Sequence, residues 1–346
     1  MNPRLHYPRL VSLLLVFSLP LSARSLTDAA GRSVTVPDSV QRVAGTAPPP
    51  TLLVYALAPD LLVSSDTPAV SSFYAPGTRL LLPEFTRLPV VGGWHGSSRG
   101  ANMEALLALD PQVVVAWRND FAMEPVLRSF EKFDIPVVFV NQDRVADIPG
   151  ALRLVGQAIG RAEAGEKLAR DAEARLAQVR KTVGAVPPEK RPSIYYAQGA
   201  DGLLTQFSGS YHFDPFLVAG GRSLFPGEQK TMMGMERVSL EQILESDPAV
   251  IVATDTRFAR AVRTDSRWSG IAAVRDDRVL VIPRDPVNWL DRPPCFMRVL
   301  GVQWLASVLY PEAYPGNIVQ ETITFYRDYL HQTIDEKTAR HLLAPQ

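Results

Sequence analysis

The sequence predicts an α/β fold of two lobes, each with a mostly parallel sheet flanked by helices, joined by one long interlobe helix. Three observations predict it: a helix–strand unit occurs twice, buried strand patterns alternate with helical patterns, and a long amphipathic stretch separates the two copies. The expected boundaries are a signal peptide at 1–25, an amino-terminal lobe at 26–160, a connecting helix at 161–185 and a carboxy-terminal lobe at 186–346.

Length and composition are those of a globular protein. The chain has 346 residues, enough for two domains, and is 46% hydrophobic and 21% charged. Its 36 basic and 36 acidic side chains balance, which argues against a nucleic-acid-binding protein. The single cysteine, Cys295, excludes an internal disulfide and a multi-cysteine metal site, and we expect it to be buried.

The amino terminus has the pattern of a secretory signal. Arg4 and Arg9 precede an apolar run at 10–21, which is followed by the small-x-small sequence Ala23-Arg24-Ser25. The run is shorter than the roughly 20 residues that span a bilayer. We expect cleavage, a mature chain that starts near Leu26, and a periplasmic protein. No cysteine lies at the cleavage site, so no lipid anchor is expected.

Strand patterns recur along both halves of the chain. In the first half "RVAGTA", "DLLVSS" and "IPVVFVN" read as buried strands, and "PPTLLVYALAP" reads as a helix between the first two. In the second half "PSIYYAQ", "AVIVATD" and "RVLVIPR" are separated by helical patterns. This alternation is typical of parallel sheets that are covered by helices on both faces.

A helix–strand unit occurs twice, which predicts related lobes. "NMEALLALDPQVVVA" at 102–116 and "SLEQILESDPAVIVA" at 239–253 are identical at seven of fifteen positions without a gap. Each copy reads as an amphipathic helix that ends at Asp-Pro, followed by a buried strand, because proline stops a helix.

Between the two copies a long amphipathic helix is predicted. Its apolar positions follow a spacing of three and four residues: Leu168, Ala172, Leu176, Val179 and Val183. From Ala162 to Val183 it would run roughly 33 Å at about 1.5 Å per residue. Gly184 and the prolines at 187 and 188 end it. Its position predicts a strut between the lobes.

The expected ligand site lies in a cleft between the lobes, since ligands of open α/β sheets meet the loops at the carboxyl ends of the strands. Those loops are rich in aromatic and arginine side chains, which favour a flat or bulky ligand. The candidate ligand-binding residues are Tyr74, Trp94, His95, Trp117, Arg118, Tyr211, His212, Arg257, Phe258, Trp289 and Arg292.

The arginine and histidine side chains of these loops restrict the possible classes of ligand only slightly. Arg118, Arg257 and Arg292 could bind carboxylates, phosphates or oxyanions, or could form ordinary salt bridges. His95 and His212 are the candidate metal ligands by residue type. No H-x-x-x-H spacing or carboxylate cluster indicates a site for a bare cation. A metal is therefore expected to arrive already chelated.

The chain resembles the periplasmic substrate-binding proteins of ABC importers for iron–siderophores, haem, vitamin B12 and related metal complexes. The resemblance rests on "LTDAAGRSVTVPDSVQRVAG", "NMEALLALDPQVVVAWRN" and "VIPRDPVNWLDRPP", and it covers nearly all of the mature chain. It implies limited closure of two lobes on a metal chelate, with iron, cobalt or nickel entering only as part of the ligand and with no intrinsic cofactor. It also implies a monomer that delivers its ligand to a membrane permease dimer with its ATPase, and no catalysis.

The resemblance gives a role to the two glutamates of the repeated unit. It implies that Glu104 and Glu241, one on each lobe, dock onto arginines of the permease. A simpler alternative is that both carboxylates only stabilise the amino termini of their helices electrostatically.

One motif points to a different class of protein. Gly96-Ser97-Ser98-Arg99-Gly100 matches the G-x-S-x-G elbow of serine hydrolases, with Ser98 as nucleophile. The second copy of the helix lacks this motif, and no signature ties a later histidine to Ser98. We therefore interpret 96–100 as a turn at the rim of the cleft. A binder of a bare metal ion or oxyanion is the main alternative, and a hydrolase is the remote one.

Overall fold

A computed structural model describes residues 23–68, 74–75, 79–95, 100–119, 121–231 and 234–344. Residues 1–22, which form most of the predicted signal peptide, lie outside the described residues, and so does the stretch 96–99 with Ser98. The predicted signal peptide and the predicted turn at 96–100 therefore stay predictions. The predicted α/β fold with two parallel sheets flanked by helices is confirmed. None of the helices in the described ranges combines the length and the apolar character needed to cross a bilayer.

The amino-terminal half contains a three-stranded parallel sheet. Its elements are β1 (Ala23–Thr27), β2 (Ser33–Pro37), β3 (Val43–Gly45), α1 (Pro48–Leu57), α2 (Pro83–Thr86), β4 (Gly92–Gly93), β5 (Gly100–Ala101), α3 (Met103–Ala108), β6 (Val113–Trp117), α4 (Met123–Phe130), β7 (Val137–Val140) and α5 (Ile148–Ala158). The strand order is β3-β6-β7. These strands are buried along almost their whole length, because helices cover both faces of the sheet.

The carboxy-terminal half contains a four-stranded parallel sheet in the order β10-β8-β12-β13. Its elements are α6 (Ala162–Gly184), β8 (Ser193–Ala197), β9 (Leu204–Thr205), α7 (Asp214–Val218), β10 (Arg222–Ser223), β11 (Glu236–Arg237), α8 (Leu240–Ser246), β12 (Val250–Ala253), α9 (Thr256–Val262), α10 (Ala272–Arg275), β13 (Val279–Val281), α11 (Met297–Leu309), α12 (Ile318–Tyr329) and α13 (Glu336–Leu343).

An amino-terminal hairpin is fastened to the edge of the first lobe. The buried carboxylate of Asp28 accepts hydrogen bonds from the Arg32 guanidinium at 2.6 Å and from the backbone N–H of Phe139 at 3.2 Å. Arg32 also donates to the carbonyl of Val137 and lies over the Phe139 ring. Asp28 and Arg32, which form a D-x-x-x-R pattern near the start of the chain, therefore bind the hairpin to β7.

The first strand starts earlier than the expected start of the mature chain. β1 begins at Ala23, and the Arg24 guanidinium donates to the carbonyl of Gln157 at 2.7 Å and to that of Pro37 at 2.8 Å. Gln157 lies in the last turn of α5, where carbonyls have no partner inside the helix. Cleavage near Leu26 would remove these contacts, and the cleavage position stays a prediction.

The repeated unit has the same helix cap and the same helix end in both lobes. The side chains of Asn102 and Ser239 cap the helices by accepting a hydrogen bond from the backbone N–H three residues ahead. At the other end Asp110 and Asp247 adopt positive φ angles of 49° and 39° directly before proline. Each helix therefore ends at a left-handed aspartate, which is better tolerated there than most other residues.

The long interlobe helix is confirmed as α6, which has 23 residues. All five apolar residues predicted for its inner face are buried: Leu168, Ala172, Leu176, Val179 and Val183. It packs closely on α5, where a Cβ on Gly165 would lie only 2.7 Å from the carbonyl oxygen of Leu152. The helix is thus held against both lobes instead of standing free as a strut.

The chain ends by crossing back onto the first lobe. The Tyr55 hydroxyl of α1 donates to the carbonyl of Leu330 at 2.9 Å, and His331 contacts the carbonyl of Tyr55 at 3.1 Å. One hydrophobic core runs through both halves, and it includes residues of the first sheet such as Val115 and of the second such as Val252.

Candidate ligand-binding cleft

A cavity lies between a loop after β7 of the first lobe and a loop after β9 of the second lobe. It has a volume of about 400 Å³ and is lined from both lobes by Asn141, Asp143, Arg144, Asp147, Gly209, Ser210, Tyr211 and Gln229. The first four follow β7, and the next three follow β9. The expected position of a site, outside the strand ends and between the lobes, corresponds to this cavity.

Trp117 and Tyr211 meet across the cleft. Trp117 is the last residue of β6, and its indole N–H donates to the Asp143 carboxylate at 2.8 Å. The Tyr211 ring of the opposite lobe stands edge-on to the indole, with centroids 6.3 Å apart. Burial raises the pKa of Asp143, and the hydrogen bond from Trp117 opposes that shift. The two aromatic residues thus form an aromatic wall above a half-buried carboxylate.

Behind Tyr211 lies a buried ionic cluster. The His212 ring lies under the Tyr211 ring, with centroids 4.0 Å apart, and its Nδ1 is 2.6 Å from the Asp291 carboxylate. Arg298 donates to the same carboxylate at 3.0 Å, and the Tyr196 hydroxyl donates to its other oxygen at 3.2 Å. Burial lowers the pKa of His212, so the imidazole is neutral at neutral pH. Burial alone would raise the pKa of Asp291, but His212 and the neighbouring arginines hold it below its usual value.

The neutral imidazole has a defined tautomer. Because Asp291 is ionised, His212 donates from Nδ1, and Nε2 then carries the lone pair. A histidine that donates one ring N–H to a carboxylate and presents the other nitrogen is the arrangement that metal-binding histidines have. His212 is only 3% exposed and is not among the residues that line the cavity, so ligation of a metal by Nε2 stays a prediction.

Arg298 joins the two halves of the site. It is fully buried at the start of α11 and donates to the carbonyl of Leu290 at 2.9 Å and to that of Asp143 at 2.5 Å. Its contact with Asp291 lies in the second lobe, whereas Asp143 lies in the first. Arg298 thus connects two loops. One contains Asp143, whose carboxylate accepts from Trp117, and the other contains Asp291, whose carboxylate binds His212.

A second link between the lobes closes the side of the cavity. Asp214, at the start of α7, accepts from the Arg144 guanidinium at 3.2 Å and from the backbone N–H of Val145 at 2.8 Å. Its carboxylate is mostly buried, and Arg144 is half exposed. Arg144, which lines the cavity, is therefore already paired.

A buried chain of amides and hydroxyls forms the wall of the second lobe. Gln198 donates to the Tyr196 hydroxyl at 3.3 Å, Gln206 donates to Gln198 at 2.7 Å, and Ser210 donates to Gln206 at 3.0 Å. These groups satisfy one another and hold the loop that carries Tyr211 in place.

His95 belongs to a separate polar cluster of the first lobe. Its Nε2 lies 3.3 Å from the buried Asp66 carboxylate and 3.2 Å from the Thr67 hydroxyl. Asp66 also accepts from the hydroxyls of Thr51 and Thr67 at 2.6 and 2.7 Å. The two candidate metal-binding histidines are thus each bound to a carboxylate, in different clusters. No group of three or more metal-ligating side chains occurs among the described residues.

Four predicted ligand-binding aromatics lie in hydrophobic cores. Trp94 packs against Phe130, Phe258 against Trp268, Trp289 against Tyr326 and Tyr74 against Phe85, and all four rings are at most 5% exposed. Loops after strands can turn back over a sheet, which the sequence pattern does not reveal. Ligand contact by these four rings stays a prediction, and it would require them to leave their present packing.

The three predicted arginines have different surroundings. Arg118 is exposed at the end of β6, and Arg257 is exposed and paired with Asp255 at 2.9 Å. Arg292 is half-buried, with Nε 3.6 Å from the Asp291 carboxylate. The site thus brings together five of the predicted residues at the cavity and the cluster behind it: Trp117, Arg118, Tyr211, His212 and Arg292.

Several residues of the site were not predicted. Asp143 follows β7 directly, and its position after a buried strand was a usable signal. No local sequence pattern indicated Asp291 or Arg298, because several of their partners lie far away in the sequence. Phe121, which is 68% exposed just beyond β6, is another aromatic near the end of that strand that was overlooked.

Both glutamates of the repeated unit lie on the surface, in the first turns of α3 and α8. Hydrogen bonds from the backbone and from Ser239 lower the pKa of Glu241. The carboxylate is therefore charged and accessible. Each lobe presents one such glutamate.

Comparison with known proteins agrees with this architecture. The model of the periplasmic binding protein family matches residues 94–286, more than half of the chain. A solved ABC transporter solute binding protein from Sulfurospirillum deleyianum is 31% identical with a TM-score of 0.86, covering 92% of this chain and 98% of that one. The molybdate-binding protein MolA of Haemophilus influenzae is 26% identical, over 92% of this chain and 95% of its own length.

A more distant structure shares the fold. The vitamin B12-binding protein BtuF of Vibrio cholerae is 21% identical with a TM-score of 0.60, covering 80% of this chain and 98% of that one. Together with the two lobes and the cavity between them, these matches identify the protein. The chain belongs to the periplasmic binding protein family and is the substrate-binding component of an ABC importer.

Proposed function

We propose that the protein captures a metal complex in the interlobe cleft, namely an iron–siderophore, a corrinoid, haem or a nickel chelate. The observation that carries this proposal is the cavity of about 400 Å³ between the lobes. Pockets of about 300–1,000 Å³ accommodate organic ligands of drug size, whereas a bare ion or small oxyanion fills only a small part of such a volume. The metal enters as part of the ligand, and the protein needs no intrinsic cofactor.

The chemistry of the lining also favours a chelate over an oxyanion. Asp143 and Asp147 face the cavity, and Arg144, which also lines it, is paired with Asp214. Carboxylates repel an anion, while amide and hydroxyl groups such as those of Asn141 and Ser210 suit the donors and acceptors of an organic ligand. The aromatic wall of Trp117 and Tyr211 suits a flat or bulky apolar surface.

An oxyanion is the second candidate, and two observations favour it. A relative that matches along nearly the whole chain is named a molybdate-binding protein. In addition, Arg118 is exposed beside Trp117, so that its guanidinium could bind an anion bidentately.

Native mass spectrometry of protein released from the periplasm, purified without a tag or chelator, separates the two candidates. A co-purifying mass of several hundred daltons that contains iron, cobalt or nickel supports the chelate. Titration of the apo protein with ferric siderophores, cobalamin, haemin, nickel–histidine and sodium molybdate, followed by intrinsic tryptophan fluorescence, provides the second test. A response to molybdate alone would overturn the proposal.

We expect no catalysis by this chain. The family to which it belongs consists of binding proteins, and the polar groups at the cleft form closed pairs such as His212–Asp291. A hydrolase that uses Ser98 is the alternative. Esterase activity that disappears in Ser98→Ala would support it, and equal rates in the two proteins would dismiss it.

Delivery to the permease depends on the two exposed glutamates in this proposal. We expect Glu104→Ala and Glu241→Ala to reduce uptake at least tenfold each while leaving ligand affinity unchanged, since both side chains lie far along the chain from the cavity loops. The matched control is Glu245→Ala, an exposed glutamate one turn further along α8. A parallel loss of ligand affinity would contradict a docking role.

The proposed working form is a periplasmic monomer without a lipid anchor, released by cleavage of the leader. The mature chain would begin before Arg24, because that side chain holds β1 to the end of α5. The mass of the secreted protein tests this boundary directly.

A further inference from the structure

The helices that carry the two glutamates also share an apolar feature. Leu107 and Leu244 each follow the glutamate by three residues, and residues three apart lie on one face of a helix. Leu244 is 38% exposed, and Leu107 is partly exposed. Each lobe therefore presents a carboxylate and a leucine side by side.

The core does not need these leucines. The preceding residues, Leu106 and Ile243, are 2% and 0% exposed and fill the core-facing position of α3 and α8. Large apolar side chains exposed to the degree of Leu244 are few in the described ranges, and Leu107, which is partly exposed, occupies the matching position on the first lobe.

The pattern defines the partner. A carboxylate beside an apolar side chain is complementary to a basic group beside an apolar pocket. Because the same pair occurs once on each lobe, the partner must present the same complementary surface twice, as a two-fold symmetric dimer does.

We propose that Leu107 and Leu244 form the apolar half of a bipartite docking surface for the permease dimer, next to Glu104 and Glu241. The inference rests on the proposed delivery function and adds a contact type to it. The glutamates provide orientation and rapid association, and the leucines slow dissociation, since burial of a leucine contributes to affinity regardless of salt.

The test measures binding of the apo protein to its cognate permease–ATPase complex in lipid nanodiscs by surface plasmon resonance. Leu107→Ser and Leu244→Ser should each weaken binding about tenfold, mainly through faster dissociation, and the double variant more. Leu217→Ser is the matched control, because Leu217 is 37% exposed on α7, outside both docking helices. All variants should keep the wild-type melting temperature.

The outcomes distinguish failure of the leucine contact from failure of the docking role of the glutamates. If Glu104→Ala and Glu241→Ala weaken binding and the leucine variants do not, the apolar half is wrong while docking stands. If neither set weakens binding, the docking role of these helices fails altogether. Equal weakening by Leu217→Ser would show that the loss is not specific to α3 and α8.

Discussion

Trp117 is the residue on which ligand retention should depend most. Its ring contacts Tyr211, which lines the cavity, and its N–H donates to the half-buried Asp143 carboxylate, which opposes the rise of that group's pKa on burial. We expect Trp117→Ala to raise the Kd for the identified ligand at least tenfold, and Trp117→Phe to raise it less, because phenylalanine keeps an aromatic face but not the hydrogen bond. Isothermal titration calorimetry measures both.

The control for this change is Trp268→Phe, which alters a tryptophan buried in the core of the second lobe. Its Kd should equal that of the wild type even if its melting temperature falls. An unchanged Kd in Trp117→Ala would remove Trp117 from the site.

His212 predicts how stability depends on pH. Burial lowers the pKa of the folded imidazole below the unfolded value of about 6.5, so the unfolded chain takes up the proton first as the solution is acidified. The contribution of His212 is therefore complete above about pH 6.5 and is lost as the pH falls below it. The free energy of unfolding, from guanidinium titrations at pH 7.5 and 5.5, should decrease over this interval.

His212→Asn isolates this contribution. Asparagine can still donate to Asp291 but cannot be protonated, so the variant should lose less stability than the wild type between the same two pH values. The carboxylates of the site that have lowered pKa values titrate at lower pH and do not interfere. An identical decrease in both proteins would show that another group is responsible.

At the residue scale, sequence position predicted part of the site. Trp117 ends β6 and Tyr211 follows β9, and both were predicted by the rule that ligands meet strand ends; the structure brings them into contact, and ligand binding by them stays a prediction. Trp289 was placed at the cleft by the same rule, yet its ring is fully buried against Tyr326. Arg298 lies inside a helix, and its role depends on tertiary contacts that no local pattern encodes.

At the scale of elements, the repeated helix ends with a left-handed aspartate in both lobes. Asp247 has φ of 39°, and its carboxylate accepts from the backbone N–H of Ala272 at 2.7 Å. Asp247→Ala removes this acceptor and places at a positive φ a residue that tolerates the left-handed region less well than aspartate does. We expect it to lower the free energy of unfolding by about 2 kcal/mol.

Two further substitutions separate these causes. Asp247→Gly tolerates the positive φ and loses only the hydrogen bond, so its cost should be about 1 kcal/mol smaller than that of the alanine variant. Asp247→Asn keeps both features and should be close to the wild type. Chemical denaturation measures all three, and equal losses for glycine and alanine would exclude backbone strain.

The element boundaries followed from local patterns to different degrees. The long helix was predicted to within a residue or two, because its apolar spacing, its glycine and its prolines are all local signals. β1 begins at Ala23, within the stretch 1–25 that was predicted as a signal peptide, so the two patterns overlap at 23–25. The short β9 and β11 were missed, since strands of two residues carry no periodicity.

At the scale of the whole molecule, the sequence predicted two lobes but not how fully they are joined. The repeat and the alternation of strands and helices are local, whereas the shared core arises from α1, α5, α6 and α11 packing together. The contact between the Tyr55 hydroxyl in the first lobe and the carbonyl of Leu330 near the end of the chain could not be predicted from any local sequence pattern either. The lobes thus share one hydrophobic core, in addition to the helix that connects them.

A shared core predicts cooperative unfolding of the entire molecule. Two lobes with independent cores would melt separately, whereas one lobe cannot unfold here without exposing apolar surface of the other. Differential scanning calorimetry should therefore give one transition in which the calorimetric and van't Hoff enthalpies agree. Tyr55→Phe removes a bridging hydroxyl between α1 and the carboxy-terminal segment, and it should shift that single transition downward without splitting it. Two resolved transitions in either protein would mean that the lobes are energetically separate and that closure on the ligand need not be small.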